Sequence, residues 1–210
     1  MNKTPIIFDC DPGHDDAVAL LIALASDAVE IKAITTAQGN QTIEKTTENA
    51  LKILELCHRT EIPVSTGLRK PLLQKQIVAG DVHGKSGMDG PQLPVPVTKP
   101  SPLGAMEMME KVISESPVPV TIVATGPFTN VAAFLLSHPH LKSKIECISV
   151  MGGGVWEGSR TAVAEFNIWN DPEAAQIVMM SGIPVILCGL DVTHKALIRE
   201  DEFHLFREKQ

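Results

Sequence analysis

Five short segments of nearly unbroken apolar character recur along this chain, at residues 5–8, 29–35, 118–124, 145–151 and 183–188. A strand with one wet face alternates polar and apolar residues, whereas a strand buried on both faces does not. Between these runs lie segments that read as helices, at 17–25, 43–57, 105–114, 129–136 and 172–180. The last begins at Asp171-Pro172-Glu173, an N-cap acid, a proline at the first helical position and a further acid near the positive end of the helix dipole. Buried strands alternating with helices predict an α/β fold: an open, mostly parallel sheet with helices on both faces. With no linker or internal repeat to divide it, residues 1–210 are expected to form a single domain.

Residues 68–102 break the alternation, carrying several prolines and glycines around Asp81-Val82-His83-Gly84-Lys85-Ser86-Gly87-Met88-Asp89-Gly90. Loops of that length in compact domains tend to be functional. Polar clusters follow the expected strands: Asp9 to Asp16, Thr35 to Asn40, Thr125-Gly126-Pro127, Met151 to Gly154 and Asp191-Val192-Thr193-His194. In a parallel sheet they converge on the rim outside the carboxyl ends, where open α/β folds bind ligands.

A net charge of −7 and the lack of any Lys/Arg-rich run argue against nucleic acid as a partner. No apolar run is long enough to span a membrane, and the N-terminus enters strand-like sequence at once, so neither an anchor nor a signal peptide is expected. Cys10, Cys57, Cys147 and Cys188 lack paired spacing, and three of them sit in or beside apolar runs. They are expected to be free thiols in a reducing cytoplasm, with Cys10, Cys147 and Cys188 acting as small buried hydrophobes.

The densest polar feature is Asp9-Cys10-Asp11-Pro12-Gly13-His14-Asp15-Asp16-Ala17, with four carboxylates in eight residues between a strand and a helix start. Like charges crowded at a buried strand end need a cation, protons or solvent. Oxygen ligands favour a hard ion such as Ca²⁺ or Mg²⁺. An EF-hand would need a Glu at the twelfth loop position, where counting from Asp9 finds Leu20. A haloacid dehalogenase-type phosphatase would share only Asp9 and Asp11, and Met151-Gly152-Gly153-Gly154 lacks the Lys and Ser/Thr of a phosphate-cradling loop. An acidic helix cap would account for Asp15 or Asp16 but not for all four.

The acidic segment resembles the N-terminal fingerprint of the nucleoside hydrolases, the inosine-uridine-preferring ribohydrolase family. Further blocks are similar in family order: Gly39-Asn40-Gln41-Thr42, Thr125-Gly126-Pro127 with Thr129-Asn130, Met151 to Gly154, Ala164-Glu165-Phe166-Asn167, Asp171-Pro172-Glu173-Ala174-Ala175 and Gly189 to His194. The resemblance covers essentially the whole chain and leans toward the bacterial pyrimidine-preferring branch. It implies a Rossmann-like core and Ca²⁺-dependent hydrolysis of the N-glycosidic bond of small ribonucleosides, uridine and cytidine foremost, to ribose and free base. It also implies pyrimidine salvage in the cytoplasm by a homo-oligomer, a homotetramer or dimer, without nucleic-acid or membrane partners.

By the same resemblance Asp11 is a Ca²⁺ ligand and the base that deprotonates the attacking water, and Asp16 and the Thr125 carbonyl are further ligands. Asp15 holds a ribose hydroxyl, while Asn40, Glu165 and Asn167 grip the ribose or order the metal shell. Met151 lines the sugar pocket, His83 stands near the base, and Asp9 braces the turn. Taken without the resemblance, Asn167 reads as part of a capped turn, Met151 as core and His83 as an exposed loop histidine. His14 is treated as non-essential, and His138, His140 and His204 as surface residues.

Two departures stand out. Ser159 occupies a position where the family has Asn against the ribose 5′-hydroxyl. Family members also continue for about another third beyond the point matching Gln210, so the C-terminal part is expected to be missing. That part carries a His-Asp pair that completes the Ca²⁺ shell and stands by the leaving base. The alternative function is therefore an impaired remnant that keeps the fold and a weak metal or ribose site, with apolar surface left uncovered.

Overall fold

The computed structural model describes residues 3–202, 204 and 208. Its strands are β1 (Thr4–Cys10), β2 (Val29–Thr36), β3 (Val64–Thr66), β4 (Val120–Ala124), β5 (Ile145–Met151) and β6 (Val185–Cys188). Among the described residues they form one sheet in the order β3-β2-β1-β4-β5-β6, and every pairing is parallel. The helices are α1 (His14–Ala25), α2 (Ile43–Leu56), α3 (Gly80–His83), α4 (Ala105–Glu115), α5 (Thr129–Ser137), α6 (Phe166–Asn170), α7 (Pro172–Met179) and α8 (Leu190–Thr193).

Local chemistry explains the longer helices. In α4, Ala105, Met108, Met109 and Ile113 recur at helical spacing and are all buried. In α7, Asp171 caps the helix by accepting the Ala174 N–H at 3.1 Å, and Pro172 holds the first turn, as its sequence predicts. The core divides at the sheet. Ile6, Phe8, Cys10, Ile31 and Ile34 pack with Leu20 of α1 and Leu51, Ile53 and Leu54 of α2. On the opposite face Ile7, Ile122, Ile148 and Val150 pack with Met109, Val131, Phe134 and Val178 from α4, α5 and α7. Helices thus cover both faces, as expected.

Several expectations are corrected. β3 has no counterpart in the sequence reading, because three residues between Pro63 and Gly67 are too few to show a period. β4 and β6 begin two residues later than their apolar runs, following Pro119 and Pro184. Proline has no N–H for a ladder, so it marks the strand start. His138 is half-buried, stacked on Phe134 with centroids 5.0 Å apart and 3.4 Å from Glu110 Oε2; His140 and His204 are exposed. The four cysteines are free, but only Cys10 is buried; Cys147 and Cys188 are half-buried. No helix among the described residues is long and apolar enough to cross a membrane.

Candidate active site

The sheet order reverses direction between β1 and β4, and a crevice opens at such a switch point outside the carboxyl ends. A cavity of about 840 Å³ lies there, lined by Asp11, Asp15, Asp16, Asn40, His83, Thr125, Met151, Glu165 and Asn167. Every residue expected at the site therefore faces one cavity. His14, Ser159 and Arg160 share its lining, as do Val18, Ile22 and Leu190.

The four acids of the turn do not act as one group. Asp9 lies inside β1 and points to the α5 face of the sheet, where Oδ2 accepts Thr35 Oγ1 at 2.6 Å and Asn130 Nδ2 at 2.9 Å. It ties β1 to β2 and α5 rather than bracing the turn itself, and its Oδ1 is buried without a partner among the described residues. Asp15 is exposed at the cavity. Asp11 and Asp16 are buried at 1% and 3% exposure. Among the described residues no three His, Cys, Asp or Glu side chains gather into one cation-holding cluster, and the buried acids that the turn brings to the cavity are Asp11 and Asp16.

Both are held by the residues around them. Asp11 Oδ2 accepts the Asn40 N–H at 2.7 Å, and Asn40 Nδ2 donates to the Asp11 carbonyl at 3.0 Å and to Asp16 Oδ2 at 3.2 Å. Asp16 Oδ1 accepts the Thr125 hydroxyl at 2.5 Å, and Oδ2 accepts the Gly13 N–H at 3.2 Å. The helix-capping role foreseen for one acid thus belongs to Asp16, beside its place at the cavity. Glycines permit this approach: a Cβ on Gly39 would lie 2.1 Å from Asp11 Oδ2, and one on Gly126 2.5 Å from Asp11 Oδ1.

Burial pushes all three buried acids up. Asp9 rises to about 7, with the Thr35 and Asn130 hydrogen bonds opposing. Asp16 also rises to about 7, with Asp15's charge adding to burial and the Thr125 hydroxyl opposing. Asp11 stands well above the carboxylate range through burial and then the charge of Asp16. Among the described residues no Lys, Arg or His pairs with any of them. Buried carboxylates without a counter-charge are the environment in which a bound cation restores ionisation. Two carboxylates and a nearby carbonyl, all hard oxygens, fit Ca²⁺ or Mg²⁺; they supply about three of the 6–8 oxygens Ca²⁺ takes.

Asn167 Nδ2 donates to the Thr125 carbonyl at 2.9 Å and the Met151 carbonyl at 3.1 Å, so its side chain orders the ends of β4 and β5 instead of capping a turn. Glu165 is the N-cap of α6. Its Oε2 accepts the N–H groups of Gly153, Asn167 and Ile168 at 3.0, 2.9 and 3.2 Å, which commits one oxygen to structure. Ser159 Oγ accepts the Phe166 N–H at 3.1 Å. His83 is half-buried, and burial pulls its pKa below the ordinary value, with Asp15 opposing and His14 reinforcing the fall.

Three features escaped the sequence reading. Arg160 lies over the Trp169 and Phe166 rings, 5.2 and 5.8 Å from their centroids, and reaches Asp81 at 3.5 Å, joining two loops at the cavity mouth. Asn49 of α2 donates to the Pro12 and Ser86 carbonyls at 3.1 and 3.0 Å, tying the acidic turn to the long loop. Gln38 Nε2 donates to Asn170 Oδ1 at 2.7 Å across 132 residues. None sits in a local pattern; only Asn49, polar on the buried stripe of α2, carried a signal.

The family model described as inosine-uridine preferring nucleoside hydrolase matches residues 6–210. The chain belongs to this family. It is 56% identical over 203 residues to the pyrimidine-specific ribonucleoside hydrolase RihA of Escherichia coli O1:K1, covering 97% of this chain and 65% of that protein. It thus spans 65% of the length of that nucleoside hydrolase. Among solved structures it superposes on the purine-preferring ribonucleoside hydrolase from Gardnerella vaginalis with a TM-score of 0.93 and 33% identity, covering 98% of this chain and 66% of the other. A plant nucleoside hydrolase, PpNRh1, matches with a TM-score of 0.86 and 37% identity over 92% of this chain and 62% of its own.

Proposed function

We propose that this nucleoside hydrolase chain holds the ribose and a Ca²⁺ ion for hydrolysis of the N-glycosidic bond of ribonucleosides, with uridine and cytidine as preferred substrates. The observation that carries this reading is the meeting of Asp11, Asp16 and Thr125 with Asn40, Glu165 and Asn167 in one cavity. The pyrimidine preference rests on the 56% identity to a pyrimidine-specific relative. A cytoplasmic setting, a role in pyrimidine salvage and homo-oligomeric assembly belong to the same reading.

On this reading Asp11, Asp16 and the Thr125 carbonyl hold the ion. Bound Ca²⁺ would supply the positive charge these acids lack and would polarise water and the ribose diol. Asp11 takes the proton of the water whose oxygen bonds to the anomeric carbon, while the carbon–nitrogen bond breaks and its electron pair leaves with the base. Asn40 fixes both acids by its three hydrogen bonds. Asp15, exposed at the cavity, accepts from a ribose hydroxyl, and the remaining oxygen of Glu165 does the same. Asn167 aims the Thr125 carbonyl, Met151 closes the sugar pocket, and His83 stands at the base.

A second reading, binding without turnover, is favoured by the small donor set: two carboxylates and one carbonyl among the described residues. Incubation with uridine, cytidine and inosine, with and without Ca²⁺, separates the two by released ribose. The hydrolase reading predicts Ca²⁺-dependent ribose that is lost in Asp11→Ala. No ribose from a folded chain that still binds Ca²⁺ would favour binding alone.

A further inference from the structure

The His83 ring lacks the hydrogen bond that usually fixes an imidazole: its Nδ1 is buried with no partner among the described residues. Packing must therefore set its plane. One contact is backbone, since a Cβ on Gly13 would lie only 2.6 Å from His83 Nδ1. The other is His14, the first residue of α1, whose ring stacks on His83 with centroids 5.7 Å apart and planes inclined by 21°. That separation lies within the range of attractive ring pairs.

His14 is fixed in turn. Its Nε2 donates to the Asp89 carbonyl at 2.9 Å. Asp89 closes the loop that carries His83: its carboxylate accepts the Lys85 and Ser86 N–H groups at 2.9 and 2.8 Å, and its own N–H donates to the His83 carbonyl at 3.2 Å. One side chain thus grips the loop at two points, by its face at His83 and by its edge at Asp89.

We propose that His14 is a positioning residue that sets the plane in which His83 presents its ring to the nucleoside cavity. The proposal rests on the hydrolase reading for what the cavity receives, but not for the stacking itself. His14 leaves the chemistry to other groups, and its exposed position lets it be replaced without opening the core.

The test uses three variants of the whole chain. His14→Phe keeps a ring face without the Asp89 bond, His14→Gln keeps a donor without a ring, and His14→Ala removes both. The Cε1–H resonance of His83 should shift in His14→Ala and His14→Gln and return toward its original position in His14→Phe. KM for uridine should rise about three- to tenfold in His14→Ala, the scale of one aromatic pair, with kcat changed less. The same substitution in a His83→Ala background should add nothing further. An unmoved His83 resonance in His14→Ala would overturn the proposal, as would a full KM effect persisting without His83. If the unaltered chain releases no ribose, the hydrolase reading fails, and the His83 resonance still decides the positioning role.

Discussion

Phe8 in β1 and Ile186 in β6 lie on one face of one parallel sheet, joined through the register row Phe8–Val123–Ser149–Ile186. Phe8 is 3% exposed and Ile186 is 54% exposed. Extending the row the other way, Ile34 and Val64 are as buried as Phe8. Val123 and Ser149 are half-buried, so cover thins steadily from β1 to β6. The reason is the helix layer: the core formed with α1 and α2 covers β1 to β3 and reaches Val123 of β4, but includes no described residue of β5 or β6. On the opposite face Ile7, Ile122 and Ile148 form a row that stays fully buried through β5, and cover is lost only at β6, where Val185 is half-buried and Leu187 is 47% exposed. Val18, Leu21 and Ile22 of α1 border the open half and are exposed. The candidate active site sits at the seam, drawing Asp11 from the covered half and Thr125 and Met151 from the other.

The largest test of this contrast is stability. Phe8→Ala should lower the unfolding free energy by about 3–5 kcal/mol, whereas Ile186→Ala should change it by about 0.5 kcal/mol or less. Denaturant unfolding of the two variants measures both. Comparable losses would mean that β6 is covered in solution.

At the seam itself, Gly39→Ala and Gly126→Ala should each displace the Asp11 carboxylate, because the added Cβ would overlap its oxygens. A misplacement of that kind costs on the order of 10²-fold in rate, so on the hydrolase reading ribose release should fall by about that factor, with about 1–3 kcal/mol lost in stability from the overpacking. Unchanged activity in both variants would show that Asp11 has room to spare.

Much of this organisation was legible in the sequence. Unbroken apolar runs identified five strands because strands of a parallel sheet carry apolar residues toward both faces, and the polar clusters after them converge on the cavity. The same pattern hid the contrast between the halves: Ile186-Leu187 reads as buried as Ile6-Ile7, since periodicity reports what a strand could bury and not what covers it. The sequence also could not divide the acidic turn. Asp9 and Asp11 look equivalent, two residues apart and so on one face of an extended strand, yet β1 ends at Cys10: Asp9 stays inside the sheet against Thr35 and Asn130, and Asp11 lies past the strand end at the rim. Contacts between distant loops, such as Arg160 with Asp81, had no local trace at all.

A smaller effect concerns pH. Asp9 rises to about 7 in the folded chain, whereas in the unfolded chain it titrates near its ordinary value of 3.8. Between these values the folded state binds more protons, so stability falls as pH rises through the window and the loss is complete above about 7. The metal-free chain should melt a few degrees higher at pH 5 than at pH 8. Asp9→Asn, which mimics the protonated acid, should reduce that slope and leave the part due to Asp11 and Asp16, which rise in the same direction; a slope unchanged in this variant would assign the titration to those two alone.

The account rests on Asp11 and Asp16 forming half of a cation site. Calorimetric titration with Ca²⁺ near pH 6.5, in two buffers of different ionisation enthalpy, tests this most directly. The account predicts saturable binding with release of protons from the buried acids, weakened at least tenfold in Asp11→Asn and in Asp16→Asn. No saturable heat at millimolar Ca²⁺, or binding that is unaltered in both variants, would contradict it.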